Sequence, residues 1–209
     1  GFVGAALTGN LQVETVVSQG CRPIGQPFVI TRGERNVIHE LGGKPALERL
    51  HETYTSLGPD DEALARQSLF VGRVIDEYKQ GFGRGDFLIH NIIGVDRKSG
   101  AIGMAGQAKM GATVQFHVRD AKSADEDLRH LLSPRAGRPY RGAMLFGCNG
   151  RGTNMWPESG HDVGVLHEML GDVPVAGFFC GGEFGPVGGK NFVHGFTASI
   201  ALFSEPEAD

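Results

Sequence analysis

The sequence predicts an α+β fold built mainly of antiparallel sheet, with helices packed on one face. Short apolar segments with alternating polar residues recur along the chain, whereas a few segments switch to the helical period. Glycine supplies 33 of the 209 residues, about twice its usual share of ~7%, which indicates many turns. A short echo between residues 1–17 and 100–118 leaves open that the fold contains two related halves, each with a hairpin in that segment.

Composition narrows the class of partner. The formal charge of −4 and the absence of a Lys/Arg cluster give no attraction to phosphate backbones, so nucleic acid is excluded. No apolar run approaches the ~18 residues of a membrane-spanning helix, so we expect no membrane insertion. The first residue, Gly1, is neither Met nor part of a charged leader, which indicates a shortened chain.

The cysteines indicate a reducing compartment. Cys21, Cys148 and Cys180 are odd in number, and none stands in a CxxC spacing. Free thiols in the cytoplasm fit this pattern best.

The N-terminal quarter reads as short strands and turns. Its first two strands form a predicted hairpin whose second strand turns Val13, Thr15 and Val17 inward. The predicted pieces are a buried strand at Phe2 to Thr8, a turn at Gly9-Asn10, a connector at Cys21 to Gly25, and strands at 28–30 and 36–38.

Four segments have helical signals. Lys44 to Leu57 has Pro45 at the first helical position, and Glu62 to Arg66 is a shorter candidate. A capping box at Ser123 to Glu126 begins a third helix, to which Asp120 could add a cap or instead form an ion pair with Arg119. The fourth helix is expected to run from an Asp162 cap to Gly171.

The remaining apolar segments predict strands with antiparallel neighbours. They lie at 87–89, 92–95, 102–105, 114–118, 143–146, 175–179, 192–193 and 196–203, and a polar tail begins at 204.

The sharpest candidate site follows the strand at 143–146. In Cys148-Asn149-Gly150-Arg151-Gly152, the glycines let the backbone approach a bound group and present N–H donors to an anion. Arg151 adds a planar fork suited to a carboxylate. The alternative is a tight turn with an exposed arginine.

Cys148 is also the residue to nominate for thiol chemistry, because a nearby cation can lower a thiol pKa. Its base would have to come from His161, His167 or His194, each on a separate element. The alternative is a small buried side chain.

A second constellation surrounds Glu183. Gly182 and Gly185 flank this glutamate, and Phe179 or Phe184 could supply an apolar wall and a cation–π contact to a ligand ammonium. Asn191, His194 and Thr197 follow as neutral donors and acceptors. The alternative is a loop glutamate that is solvated or pairs with Arg151.

Metal and cofactor signals are missing from the sequence. His161 and His167 are six residues apart and point about 120° from each other on a helix, which disfavours a zinc pair. No glycine loop stands between a strand and a helix as nucleotide binding requires. We therefore expect no metal and no cofactor.

Several of these motifs together resemble the FIST C domain. They are Asp86-x-Leu88-Ile89 with Ile93-Gly94-Val95-Asp96, Val114-Gln115-Phe116-x-Val118-Arg119-Asp120, Cys148-x-Gly150-Arg151-Gly152, Gly177-Phe178-Phe179, Gly182-Glu183-x-Gly185-Pro186 and His194-Gly195-x-Thr197. The start of the chain looks like the last strands of a FIST N domain. The resemblance implies a FIST N remainder with a connecting helix over 1–58 and a FIST C domain with its tail over 59–209.

The same resemblance implies a sensory role. FIST domains occur in bacterial signal-transduction proteins and in F-box proteins, and are proposed to bind small ligands such as amino acids. A small-molecule ligand and a signalling output protein or domain are therefore the expected partners. The ligand site would use Cys148, Asn149, Gly150, Arg151, Gly152, Phe179, Gly182, Glu183, Asn191, His194 and Thr197. The alternatives are a thiol-dependent enzyme using Cys148 and a protein-interaction module without a small ligand.

Overall fold

A computed structural model describes residue 1 and residues 4–206. The expected first strand falls partly outside this range, because Phe2 and Val3 are not among the described residues. From Gly4 to Thr8 the chain is exposed and has no regular structure, so the strand prediction is wrong there. Even the large apolar side chain of this segment, Leu7, is 61% exposed.

Six strands close into an antiparallel barrel. They are β2 (Cys21–Glu34), β3 (Val37–Leu41), β5 (Leu69–Val74), β6 (Phe87–Asp96), β7 (Ala101–Met104) and β8 (Thr113–Arg119). Their order is β2-β8-β5-β6-β7-β3, and β3 pairs again with β2. The two-residue strand β4 (Lys44–Pro45) pairs with β3. Closure gives every barrel strand a partner on both sides, which removes open edges.

The barrel encloses one hydrophobic core. Ile30, Leu41 and Ile102 are fully buried in it. Helices α1 (Ala46–Thr55) and α2 (Pro59–Gln67) pack against this core through their apolar residues. Both helices lie close to their predicted positions, but Lys44–Pro45 form strand β4, so Pro45 precedes the helix and is not its first residue.

Two predictions within the barrel are wrong. The stretch from Cys21 to Gly25 is not a connector, because β2 pairs residue by residue with β8 from Cys21 to Ile24. Strands β7 and β8 are not a hairpin, because β5 and β6 lie between them in the barrel. The strand β5 was not predicted at all, since its six residues carry no clear alternation.

A four-stranded sheet forms the second unit. Its strands are β1 (Gln12–Gln19), β9 (Tyr140–Cys148), β10 (Val175–Cys180) and β13 (Thr197–Ser204), in the order β1-β13-β9-β10. Only β9 and β10 are parallel within this sheet, and α4 (His161–Leu170) connects them. Helix α3 (Ala121–Leu132) packs beside α4, and a hydrophobic core lies between the helices and one sheet face. The predicted α+β class with helices on one face is confirmed.

The inward face of β1 is the opposite of the predicted one. Val16 is 3% exposed, whereas Val13 is 47% exposed. The error has a physical cause, because the polar residue Ser18 is also buried and donates to Asp127 of α3 at 2.9 Å. Polar residues on the buried face disguised the alternation.

The helix starts in the second half differ from the predicted Ser123 capping box and Asp162 cap, whereas the alternative cap at Asp120 is confirmed. Asp120 caps α3, accepting from the N–H groups of Lys122 and Ser123, so the added cap replaces the Ser123 box. Helix α4 begins after Gly160, which has a φ of 80°. Asp162 lies inside the first turn of α4 and is not its cap.

A hairpin and two single turns complete the described chain. Strands β11 (Glu183–Val187) and β12 (Lys190–His194) form the hairpin, and β11 contacts β1. Short 3₁₀ turns lie at Ser133–Arg135 and Gly152–Asn154. None of the helices in the described ranges is long and apolar enough to cross a membrane.

Candidate functional site

The predicted site residues gather at one edge of the four-stranded sheet. The carboxyl ends of β9 and β10 meet there, since Cys180 is the register partner of Cys148. The first residue of β13, Thr197, reaches the same edge and pairs with Gln19 at the end of β1. Ligands of open sheets with parallel strands bind beyond the carboxyl ends of those strands.

Arg151 is a buried member of an ion pair. Arg151 is 1% exposed, and its Nε and Nη2 atoms each donate to Asp162 at 2.7 Å. The guanidinium carbon lies 5.0 Å from the ring centre of Trp156. The alternative of an exposed arginine is therefore wrong, and two of the nitrogen atoms of the predicted carboxylate-binding fork already bind Asp162. One donor atom, Nη1, is buried without a partner.

Glu183 is buried as well. It is 1% exposed, and its Oε2 accepts from the backbone N–H and the hydroxyl of Thr197 at 3.3 and 3.0 Å. Burial raises the pKa of this carboxyl, although Thr197, the Cys148 thiol and the charge of Arg151 act in the opposite direction. Its Oε1 has no partner. The alternative of a solvated loop glutamate is wrong.

The backbone N–H groups of the loop after β9 are already hydrogen-bonded within the protein. Asn149 donates its N–H to the carbonyl of Cys180 at 2.8 Å, and Arg151 donates its own to the carbonyl of Cys148 at 2.8 Å. The N–H of Gly150 points to the Cys148 sulfur at 3.4 Å. The expected set of free backbone donors for an anion is therefore absent at these three residues.

Glycine is required in this loop by a close approach. Gly152 has a φ of 59°, and a Cβ there would lie 2.8 Å from the ring of Phe179. The glycine thus lets the loop after β9 fold against the aromatic side chain at the end of β10.

A cavity of about 330 Å³ opens beside this loop. It lies between the start of α4 and strand β10, and its walls are mostly apolar. The predicted residues Gly152 and Phe179 line it together with His161 and Asp162, while Arg151 and Glu183 do not. A volume of this size lies at the lower end of small-molecule pockets.

The other predicted residues take different positions. His194 is the register partner of Glu183, is 5% exposed, and its Nε2 lies 2.9 Å from the carbonyl of Gly185. Burial lowers the pKa of His194. Gly182 lies in the turn before β11, and Asn191 is exposed three residues before His194. Asn191 therefore stands apart from the buried cluster.

Sequence reasoning missed two residues of the site. Asp162 drew attention only as a helix cap, and the solitary tryptophan Trp156 drew none. The ring of Trp156 stacks on His161 at 3.8 Å, and the two His161 nitrogens lie 3.3 Å from Asp162 and 3.1 Å from Asp125. A buried arginine needs a buried acid, but no spacing rule identifies which acid that is.

The chemistry available to Cys148 is limited by its neighbours. The Cys148 residue is 8% exposed. At least one ring nitrogen of each candidate base contacts another group. Both nitrogens of His161 contact carboxylates, His167 Nε2 lies 3.0 Å from the carbonyl of Val173, and His194 Nε2 lies 2.9 Å from that of Gly185. Within residues 4–206, no three His, Cys, Asp or Glu side chains converge as metal ligands would.

Comparison with known proteins is consistent with this geometry. The model of the FIST C domain matches residues 46–186, and that of the FIST N domain matches residues 1–44. Uncharacterized protein Rv0628c of Mycobacterium tuberculosis is 48% identical over 97% of this chain and 54% of its own length. Uncharacterized protein Mb0898c of Mycobacterium bovis is 48% identical over 97% of this chain and 53% of its own. The chain thus spans about half the length of these relatives.

Proposed function

The chain belongs to the FIST family, and from that premise we propose that it binds an amino acid or another small carboxylate at the Arg151–Glu183 edge of its sheet. FIST domains are generally sensory, ligand-binding domains of signalling proteins. The ligand and the residues that hold it are the proposed part.

Two unpaired buried atoms carry the proposal. Arg151 Nη1 is a donor and Glu183 Oε1 is an acceptor, and neither has a partner although both residues are 1% exposed. Buried polar atoms are nearly always hydrogen-bonded, and an orphan costs about 1–3 kcal/mol. A group that supplies both partners would recover that free energy on binding.

The two orphans match the two ends of an amino acid. A ligand carboxylate would accept from Arg151 Nη1, and a ligand ammonium would donate to Glu183 Oε1. Burial raises the pKa of Glu183. The positive charge of the ammonium would act in the opposite direction and favour the ionised carboxylate. The apolar cavity lined by Gly152 and Phe179 lies beside the loop after β9, and Arg151 and Glu183 would have to open onto it for the body of the ligand to occupy it.

The ion pair between Arg151 and Asp162 would transmit ligand binding to a partner. Arg151 holds Asp162 in the first turn of α4. A ligand that binds the guanidinium would therefore shift the position of this helix. We expect a signalling output protein or domain to respond to this shift.

A thermal-shift series tests the proposal. The common amino acids, acetate and succinate are added to the full chain, and a compound at one hundred times its Kd should stabilise it by about 2.7 kcal/mol. Glu183→Gln removes the charge that meets the ammonium while keeping the length of the side chain. We expect it to weaken amino-acid binding at least tenfold and to leave the binding of the simple carboxylates unchanged.

The exposed residue Asn191 provides the matched control, because it lies on the same hairpin. Asn191→Ala should bind like the parent. The proposal fails if no compound in the series stabilises the parent chain, or if Glu183→Gln and Asn191→Ala bind the amino acids equally well.

A further inference from the structure

Two of the three cysteines lie side by side at the site edge. Cys148 ends β9 and Cys180 ends β10, and they are register partners on adjacent parallel strands. Adjacent strands are about 4.8 Å apart. This spacing falls within the Cα separations of about 4.4–6.8 Å that a disulfide can bridge.

The two side chains point to the same face of the sheet. The preceding partners on that face, Phe146 and Phe178, stand two residues earlier on each strand, and their ring centres are 5.3 Å apart. Because alternate residues of a strand share a face, the pair Cys148–Cys180 continues this column. Burial, the charge of Glu183 and the neighbouring Cys148 together raise the pKa of Cys180, which agrees with a close approach of the two thiols.

We propose that Cys148 and Cys180 form a reversible disulfide when a hydroperoxide oxidises the half-buried Cys180. The Cys180 thiolate attacks the outer peroxide oxygen, the O–O bond breaks, and an alcohol, or water from hydrogen peroxide, leaves with a sulfenic acid on Cys180. The Cys148 thiolate then attacks that sulfur, the S–O bond breaks, and the departing hydroxide takes up a proton as water. Two electrons pass from the two thiols to the peroxide.

The position of the pair favours reversal of this bond. The spacing of about 4.8 Å between adjacent strands exceeds the ~3.8 Å between the Cβ atoms of a relaxed disulfide. The bond would therefore be strained, and strained disulfides are reduced more readily. A structural disulfide would resist reduction.

The bond would also change the surroundings of Glu183. The Cys148 thiol is one of the groups that lower the Glu183 pKa, and it would lose its proton and its position on joining Cys180. An effect on ligand affinity rests on the proposed function, whereas formation of the disulfide does not.

Peptide mapping of the oxidised full chain tests the inference. Trypsin separates the three cysteines into residues 1–32, 142–151 and 152–190. After treatment with hydrogen peroxide, we expect 142–151 linked to 152–190, with the pair lighter by two hydrogen atoms and restored by dithiothreitol. The yield should rise with pH, because the reacting thiolate of Cys180 is scarce when its pKa is raised.

Cys21 provides the internal control. It is 1% exposed, and burial strongly raises its pKa. Cys21→Ser should leave the cross-link unchanged, whereas Cys180→Ser should abolish it. The inference is overturned if Cys180 accumulates as sulfinic or sulfonic acid while Cys148 remains a thiol, or if peptide 1–32 is linked as often as 142–151.

Discussion

At the scale of single residues, His117 is the buried group whose charge matters most for the barrel. It is 1% exposed, its ring lies 4.6 Å from that of Phe87, and its Nδ1 is 3.0 Å from the carbonyl of Gln115. Burial lowers the pKa of His117 from 6.5 to about 4. The folded chain therefore resists a proton that the unfolded chain accepts.

A pH dependence of stability follows from this difference. As pH falls from above 6.5 to below 4, the unfolded chain gains a proton at position 117 before the folded chain does. The free energy of unfolding should drop by about 3 kcal/mol over this window through His117 alone. Urea titrations at several pH values measure the drop. His117→Gln cannot titrate and should show a drop smaller by that amount, and equal slopes for parent and variant would contradict the assignment.

Residue types at the site could be read from the sequence, but their pairings could not. Glycines around Arg151 and Glu183 indicated a place where the backbone approaches something closely, and Gly152 does lie against Phe179. The partner of Arg151 is eleven positions away in a helix. Only the tertiary fold decides that Asp162 faces the guanidinium. The chain contains many acidic residues, and no spacing rule singles out this one.

At the scale of elements, the helices were easier to predict than the strands. Helix α3 has a sharp apolar stripe, with Ala124, Leu128 and Leu132 all fully buried. Strand β11 contains a glycine and a proline, which weaken any strand signal, and it exists because its backbone pairs with β12. Pairing of this kind is a tertiary property that local pattern does not carry.

The cap of α3 separates two local explanations. The Asp120 side chain accepts from two N–H groups at the start of the helix and also pairs with Arg22 at 2.6 Å. Asp120→Ala should lower the free energy of unfolding by about 1–2 kcal/mol, measured by urea denaturation. Ser123→Ala removes only the hydroxyl that donates to Asp120 and should cost clearly less. A larger loss of unfolding free energy from Ser123→Ala than from Asp120→Ala would instead support the predicted capping box.

At the scale of the whole molecule, a single glycine joins the sheet to the barrel. Gly20 stands between β1 and β2, and its N–H donates to the carbonyl of Phe196 at 2.8 Å. A Cβ on Gly20 would lie 2.5 Å from that carbonyl oxygen and 3.3 Å from Arg151 Nη1. The joint is therefore packed against the candidate site.

Gly20→Ala should lower the free energy of unfolding by about 1–3 kcal/mol, because a backbone carbonyl would have to move. Gly94 is the matched control. It lies in β6 with open space around its Cβ position, so Gly94→Ala should change stability by no more than about 0.5 kcal/mol. Denaturation curves of both variants provide the measurement. Similar small effects would show that the joint is not tightly packed.

The α+β class was predictable from the sequence because it depends on local periods, whereas barrel closure was not. Closure depends on β2, whose first half pairs with β8 and whose last residues pair with β3. A single long strand with two partners resembles several short pieces in the sequence, which is why its start was taken for a connector.

The strand order also determines when each part can form during synthesis. Every barrel strand lies within residues 21–119, so the barrel can close while the remaining chain is still being translated. Strand β1 must wait for β13, its partner, which ends at Ser204. Glu183 and Thr197, the first residues of β11 and β13, also follow the barrel in the chain. The candidate site can therefore be completed only after the barrel, on a scaffold whose strands all precede it in the chain.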